Sequence, residues 1–230
     1  MKFRVFKTEK EFISETIKYF TEICRKTLSE KTTINIALSG GKTPEKIYRA
    51  LSKTDLPFRK MEFFLIDERY VHLTDANSNY KMIHENLFRK NSFPENKPKA
   101  FHFFDTALST KTALEKYERE LKKVTFDLAI LGIGEDGHIA SLFPKSEVLK
   151  EKKHLTALTT TNIFAVKKRL TITLPKLKKS KNILILLKGK EKKEISEQLK
   201  LYARGKKKPS HAFPASLLPF KKIRLHFFTD

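Results

Sequence analysis

Hydrophobic residues along the chain form short β-type runs that alternate with longer stretches of helical spacing. The segment KFRVF (2–6) alternates in polarity, which is typical of a strand. Over Glu9–Leu28 apolar residues recur every three or four positions, which predicts an amphipathic helix with Cys24 on its buried face. The runs FDLAIL (126–131) and NILILL (182–187) are continuously apolar apart from Asp127 and Asn182, as in strands that helices cover on both faces.

The same alternation continues along the rest of the chain. We predict further strands at 34–38, 61–66, 155–159, 169–174 and 223–228, further helices from Pro44 to about Leu51 and at 78–89, 109–123 and 190–203, and loops at 91–100 and 204–211. Strands and helices that alternate in this way predict a single α/β domain over residues 1–230. Its sheet is expected to be open and mostly parallel, with helices on both faces.

Composition narrows the possible functions. The chain has 230 residues with 48 Lys and Arg against 26 Asp and Glu, a formal net charge of +22 that attracts anions. Because these cations are spread along the chain without a nucleic-acid-binding motif, nucleic-acid binding is kept only as a minor alternative. No stretch approaches the ~20 apolar residues of a membrane span, so we expect no membrane partner. Cys24 is the single cysteine, which excludes an intrachain disulfide and favours a reducing, cytosol-like compartment.

Three strand ends contain the candidate chemistry, because ligands bind at the carboxyl edge of a parallel sheet. The first is the turn Ser39–Lys42, after which Thr43 is predicted to cap a helix that begins at Pro44. Glycine amides and a helix N-terminus would together form a phosphate cradle, although a simple strand–helix turn is an equally weighted alternative. A Walker A loop is excluded, because Ile36 occupies the position of its first glycine.

The second strand end is Asp67-Glu68-Arg69, which places two carboxylates and a guanidinium together. Charges directly beyond a buried strand are common, so this triplet alone says little about function. Ser78 follows and is predicted to cap the next helix.

The third strand end is the loop Gly132–His138, whose glycines spell a dinucleotide fingerprint. Glu135 and Asp136 would repel a pyrophosphate there, so we reject that interpretation. Asp136 and His138, placed at a predicted strand-to-helix turn, instead offer a general base and a carboxylate that orients it. The other six histidines lack metal-ligand spacing, and we expect no metal site.

Four segments resemble, in order and spacing, the family of 6-phosphogluconolactonases and glucosamine-6-phosphate isomerases/deaminases. They are SGGKTP (39–44), IDERYV (66–71), SNY (78–80) and above all LGIGEDGHIASLFP (131–144). A weaker similarity to the family continues as far as Pro214–Ser216. The resemblance covers nearly the whole chain and implies a Rossmann-like sheet without a nucleotide. It also implies a cytoplasmic hydrolase of the pentose phosphate pathway, with no metal or cofactor, whose substrate is a sugar-phosphate lactone. It says nothing about oligomeric state.

The resemblance also implies roles for individual residues. His138 matches the family's general base, which would activate water, and Asp136 is its companion. The candidate catalytic residues are His138, Asp136, Asp67 and Glu68. The candidate substrate- and phosphate-binding residues are Gly40, Gly41, Lys42, Thr43, Arg69, Arg169 and Lys192. Lys193, the next residue, is an alternative to Lys192 at the family's lysine position.

The residues after DGHIA separate the two chemistries of this family. The isomerase pattern reads F-N-E-P, whereas this chain reads Ser-Leu-Phe-Pro and has Phe143 in place of the glutamate. An apolar ring cannot orient or accept the proton that sugar ring opening requires. Lactone hydrolysis is therefore favoured over the alternative, aminosugar-phosphate isomerisation.

Overall fold

The computed structural model describes residues 1–88 and 98–229. The strands within these ranges are β1 (Lys2–Phe6), β2 (Ile34–Leu38), β3 (Met61–Leu65), β4 (Asp67–Arg69), β5 (Ala100–His102), β6 (Leu128–Leu131), β7 (Thr156–Thr160), β8 (Lys168–Ile172), β9 (Asn182–Lys188) and β10 (Ile223–Phe228). The α-helices are α1 (Glu9–Glu30), α2 (Lys42–Leu51), α3 (Asn79–Leu87), α4 (Thr110–Leu121), α5 (Leu174–Lys178) and α6 (Lys193–Ala203).

A parallel sheet forms the centre of the molecule, and we call it the main sheet. Its strand order is β1-β10-β9-β6-β2-β3-β5, and each neighbouring pair is parallel. Successive residues of β2 point to opposite faces, so Ile36 packs with α1, α2 and α3 whereas Ala37 packs with α4 and α6. The predicted open, mostly parallel Rossmann-like sheet with helices on both faces is confirmed. Strands β6, β2 and β3 lie side by side, and their carboxyl ends therefore meet at one edge.

A smaller antiparallel sheet, which the hydrophobic pattern does not predict, lies beside the main sheet. Its order is β4-β8-β7, and we call it the small sheet. A single residue, Ile66, separates β3 from β4, so the chain passes directly from one sheet into the other. This passage brings two sheets together at the carboxyl edge of β3.

Helix α2 begins two residues earlier than the sequence suggests. It starts at Lys42 rather than Pro44, with Gly41 at the N-cap position, so the predicted Thr43 cap is wrong. The φ angle of Gly41 is 105°, a conformation that side-chain-bearing residues rarely adopt. Glycine therefore allows the chain to enter the helix immediately after the turn.

The predicted strand-to-helix turn after β6 is also wrong. Residues 132–146 form a loop with left-handed backbone at Gly137 and Ala140, and the next helical element is the 3-10 turn Glu147–Lys150. The glycines and the tight turns around His138 keep this segment out of a helix.

The other predicted elements are present, with ends that differ by at most three residues. Ser78 caps α3 as predicted and accepts a hydrogen bond from the amide of Lys81. Cys24 is fully buried on α1. Most of the predicted loop 91–100 lies outside the described residues. None of the helices in the described ranges has the length and apolar character needed to cross a membrane.

Candidate active site

A cleft of about 210 Å³ opens where the carboxyl ends of β2, β3 and β6 meet the small sheet. All the predicted site residues line this cleft except Asp136 and Glu68. The three strand ends singled out in the sequence are therefore brought together in space, as expected for the carboxyl edge of a parallel sheet.

The glycine turn after β2 forms one side of the cleft. An ideal Cβ on Gly40 would lie 1.8 Å from Oδ1 of Asn79, so the backbone can approach the α3 helix only because residue 40 is glycine. Lys42 and Thr43 follow in the first turn of α2. The amides at this helix N-terminus have no intrahelical partner, and they favour a bound anion.

His138 and Asp136 form a close pair beside this turn. Nδ1 of His138 lies 2.5 Å from Oδ1 of Asp136, which also accepts the His138 amide at 3.1 Å. Burial raises the pKa of Asp136, but the hydrogen bond and charge of His138 outweigh this and hold it below its usual value. With Nδ1 donating to the carboxylate, Nε2 of His138 is the nitrogen that can accept a proton.

Two aromatic rings pack against the His138 imidazole. The Phe143 ring centroid lies 5.0 Å from that of His138, and the Phe164 centroid lies 5.6 Å away. Phe143, at the position of the isomerase glutamate, is only 6% exposed. The histidine is thus oriented by one carboxylate and two apolar rings.

Two arginines face each other on the small sheet. Arg69 of β4 and Arg169 of β8 are directly paired across the antiparallel strands, and both line the cleft. Burial and the neighbouring charge of Arg69 lower the pKa of the Arg169 guanidinium, and Asp67 opposes this. Like charges opposite one another destabilise a sheet, so this pair favours an anionic ligand that contacts both.

Much of the hydrogen-bonding capacity of these arginines is not used by the residues that the structure describes. Nε of Arg169 donates to the carbonyl of Val166 at 3.0 Å, and Nη1 of Arg69 donates to the carbonyl of Asn77 at 2.5 Å. In the described part of the chain, the Nη groups of Arg169 make no hydrogen bond, and the buried Nε of Arg69 has no partner. Donors are therefore available for the oxygens of an anionic ligand.

Asp67 and Glu68 point in opposite directions, because side chains alternate along a strand. Asp67 lines the cleft and accepts a 2.6 Å hydrogen bond from the Ser141 hydroxyl. Glu68 is fully buried and accepts hydrogen bonds from the Ser78 hydroxyl and from amides at the start of α3. Burial raises the pKa of Glu68 to about 7, against the lowering effect of its amide donors. Glu68 thus holds α3 rather than facing a ligand.

The structure separates the two neighbouring lysines that follow β9. Lys192 lines the cleft, its side chain is 16% exposed, and its Nζ lies 3.9 Å from Glu135. Lys193 is exposed and is not part of the lining. Lys192 is therefore the lysine placed to contact a ligand.

Three residues of the site are not singled out by the sequence as functional. Asn79 donates to the backbone carbonyl of Asp67 at 2.8 Å, Ser141 donates to its carboxylate, and Phe164 packs on His138. Asn79 and Ser141 lie inside recognised motifs, where they look like a helix start and a packing residue. The sequence feature that could have identified Phe164 is the adjacent apolar residues Ile163 and Phe164, which lie in the loop between two predicted strands. No cluster of metal-ligating side chains occurs among the described residues.

The fold and the cleft define an α/β protein in which a small cleft combines two arginines with a histidine–aspartate pair. The model of the family described as glucosamine-6-phosphate isomerases/6-phosphogluconolactonase matches residues 7–226. The chain belongs to this family, and the resemblance seen in its motifs is confirmed.

Individual relatives agree with this assignment. The chain is 39% identical over 207 residues to a 6-phosphogluconolactonase of Thermotoga maritima, covering 86% of this chain and 90% of that protein. It is 34% identical over 204 residues to a probable 6-phosphogluconolactonase of Dictyostelium discoideum, covering 83% and 84%. The crystal structure of 6-phosphogluconolactonase from Thermotoga maritima superposes with a TM-score of 0.83 at 33% identity, covering all of both chains. The chain is thus similar to lactonases over its full length.

Proposed function

We propose that this protein hydrolyses 6-phospho-D-glucono-1,5-lactone to 6-phospho-D-gluconate in the pentose phosphate pathway of the cytoplasm. The observation that supports this most is the cross-strand arginine pair, which lines the same small cleft as His138. A cleft of this kind suits a substrate with a phosphate at one end and a reactive carbonyl at the other. The relatives at 34% and 39% identity bear the name of this activity.

In the proposed reaction His138 acts first as base and then as acid. Nε2 of His138 removes a proton from water, whose oxygen attacks the lactone carbonyl and forms a tetrahedral oxyanion. Collapse of this intermediate re-forms the carbonyl and breaks the bond to the ring oxygen, which takes the proton from the imidazolium. Asp136 keeps Nδ1 protonated and stabilises the imidazolium while it exists.

The phosphate supplies binding energy at a distance from the carbonyl. In the proposal Arg69, Arg169 and Lys192 hold the phosphate together with the amides of the Gly40–Gly41 turn and the side chains of Lys42 and Thr43. Fixing this end of the substrate places the carbonyl beside His138 and removes much of the entropic barrier. In the proposal Asp67, which already accepts a hydrogen bond from Ser141, accepts a second hydrogen bond from a sugar hydroxyl.

Isomerisation of glucosamine 6-phosphate is the alternative within the family. Phe143 packs on His138 where the isomerase pattern has glutamate, so the imidazole lacks a carboxylate partner on that side. We therefore expect no release of ammonia from glucosamine 6-phosphate.

A lactonase assay on the purified protein tests the proposal. The substrates are 6-phospho-glucono-1,5-lactone, unphosphorylated glucono-1,5-lactone and glucosamine 6-phosphate, with spontaneous lactone opening subtracted. We expect rapid hydrolysis of the phosphorylated lactone and a much lower kcat/KM for the plain lactone. Equal kcat/KM on both lactones would contradict a dedicated phosphate site, and ammonia release at a comparable rate would overturn the lactonase assignment.

A further inference from the structure

The loop that joins β7 to β8 presents two adjacent apolar side chains with different surroundings. Ile163 is 67% exposed and Phe164 is 38% exposed. Despite this exposure, the Phe164 ring contacts three side chains of the site: Arg169, His138 and Phe143. Phe164 therefore differs from a solvent-facing loop residue such as its neighbour.

On one side Phe164 meets the phosphate end of the cleft. Cζ of Arg169 lies 5.2 Å from the centroid of the ring, which is the geometry of a cation–π interaction. The same loop also holds this guanidinium through the carbonyl of Val166, which accepts from Nε at 3.0 Å. Because Arg169 is largely buried next to Arg69, contact with an aromatic face stabilises a charge that its surroundings disfavour.

On the other side Phe164 meets the catalytic end. Its ring and that of His138 are 5.6 Å apart at an interplanar angle of 73°, an edge-to-face contact. Phe164 also lies 6.0 Å from Phe143, which packs on the same imidazole. The two rings limit the movement of His138, and Asp136 fixes its Nδ1 edge.

We infer that Phe164 is a positioning residue that holds the general base and the phosphate-binding arginine in one fixed relation. This inference rests on the proposed function. Lactone attack requires Nε2 of His138 to lie at a set distance from a carbonyl whose position is fixed through the phosphate. A single ring in contact with both side chains sets that distance, because neither can move without displacing it. Phe164 therefore affects substrate binding and turnover together.

The test compares three variants of the full-length protein. Phe164→Ala removes the ring, Phe164→Tyr keeps it, and Ile163→Ala removes an exposed neighbour as the matched control. For Phe164→Ala we expect a higher KM, a lower kcat and a loss of about 10-fold or more in kcat/KM. Phe164→Tyr and Ile163→Ala are expected to stay within about threefold of the wild type.

A double-mutant cycle with Arg169→Ala distinguishes a positioning role from a general loss of stability, because it measures whether the effects of the two substitutions on KM are additive. Once Arg169 is absent, Phe164→Ala should raise KM little further, so the two changes should be clearly non-additive. Full additivity would overturn the inference, as would a Phe164→Ala protein within about twofold of the wild type in both kcat and KM.

Calorimetric measurement of 6-phosphogluconate binding distinguishes a failure of this inference from a failure of the proposed function. Phe164→Ala should bind 6-phosphogluconate several-fold more weakly than Ile163→Ala does. If the wild type binds this compound in a Phe164-dependent way but hydrolyses no lactone, the proposed function fails and the contact between Phe164 and Arg169 stands. If the wild type is an active lactonase and the two variants bind equally, the Phe164 inference fails alone.

Discussion

The cleft has two walls of different construction. The loop wall consists of the turn Ser39–Lys42 and the loop Gly132–His138, which follow strands of the main sheet. The strand wall consists of side chains on β4 and β8 of the small sheet, namely Asp67, Arg69 and Arg169. The loop wall contributes backbone amides and the proposed base, whereas the strand wall contributes the buried positive charge.

The two walls differ because parallel and antiparallel sheets position functional groups in different ways. Loops at the end of a parallel sheet can bend through glycine conformations and bring amides or an imidazole close to a ligand. Antiparallel strands fix side chains opposite one another, so two guanidinium groups can be held together despite their repulsion. We expect changes at His138 in the loop wall to lower turnover and changes at the arginines of the strand wall to weaken binding.

The largest effect is expected from His138 in the loop wall. His138→Ala should lower kcat for the phosphorylated lactone by ~10²–10⁴-fold, because the reaction loses its positioned base. Binding of 6-phosphogluconate should remain, since the strand wall is intact. His211→Ala, which alters an exposed loop histidine, should behave like the wild type. A folded His138→Ala protein with near-normal kcat would remove the proposed base.

The strand wall should show the opposite pattern. Arg169→Ala removes charge-assisted hydrogen bonds of about 1.5–3 kcal/mol, which corresponds to a loss of about 10- to 150-fold in kcat/KM for the phosphorylated lactone. Hydrolysis of unphosphorylated glucono-1,5-lactone should change little. Lys168→Ala, next to it on β8 and exposed, is the matched control. If Arg169→Ala slows both lactones equally, the arginine does not act through the phosphate and the contrast between the walls fails.

Glu68, which lies behind the strand wall, should affect the stability of the fold more than the catalytic reaction. Glu68→Gln keeps the shape but places an NH₂ group among the hydroxyl and amides that now donate to the carboxylate. Leaving such buried donors unsatisfied should lower the free energy of unfolding by about 1–3 kcal/mol in urea titrations. Glu85→Gln, on the exposed side of α3, should change it by less than about 0.5 kcal/mol. Equal stabilities for the two variants would show that Glu68 does not hold the helix.

Local sequence patterns point to the loop wall, whereas the resemblance to the family names the residues of the strand wall without predicting how they are arranged. Glycines and histidine after a buried strand are local signals, and they point to residues 40–43 and 132–138, most of which line the cleft. The pairing of Arg69 with Arg169 depends on an antiparallel contact between segments 100 positions apart, which no local pattern specifies. For the same reason the opposite orientations of Asp67 and Glu68 are not apparent until β4 is known to be a strand.

The smallest effect should come from Lys192, which lies at the cleft but belongs to neither wall. Its Nζ lies 3.9 Å from Oε1 of Glu135, and this negative charge offsets part of its attraction to a phosphate. Lys192→Ala should raise KM for the phosphorylated lactone by less than about 10-fold, and the ratio to wild type should shrink as ionic strength increases. Lys193→Ala removes the same charge one position further along, outside the cleft lining, and should leave KM within about twofold of wild type. If the two variants raise KM equally, these lysines act only through the general positive field of the protein, and the phosphate is held by the strand wall and the glycine turn alone.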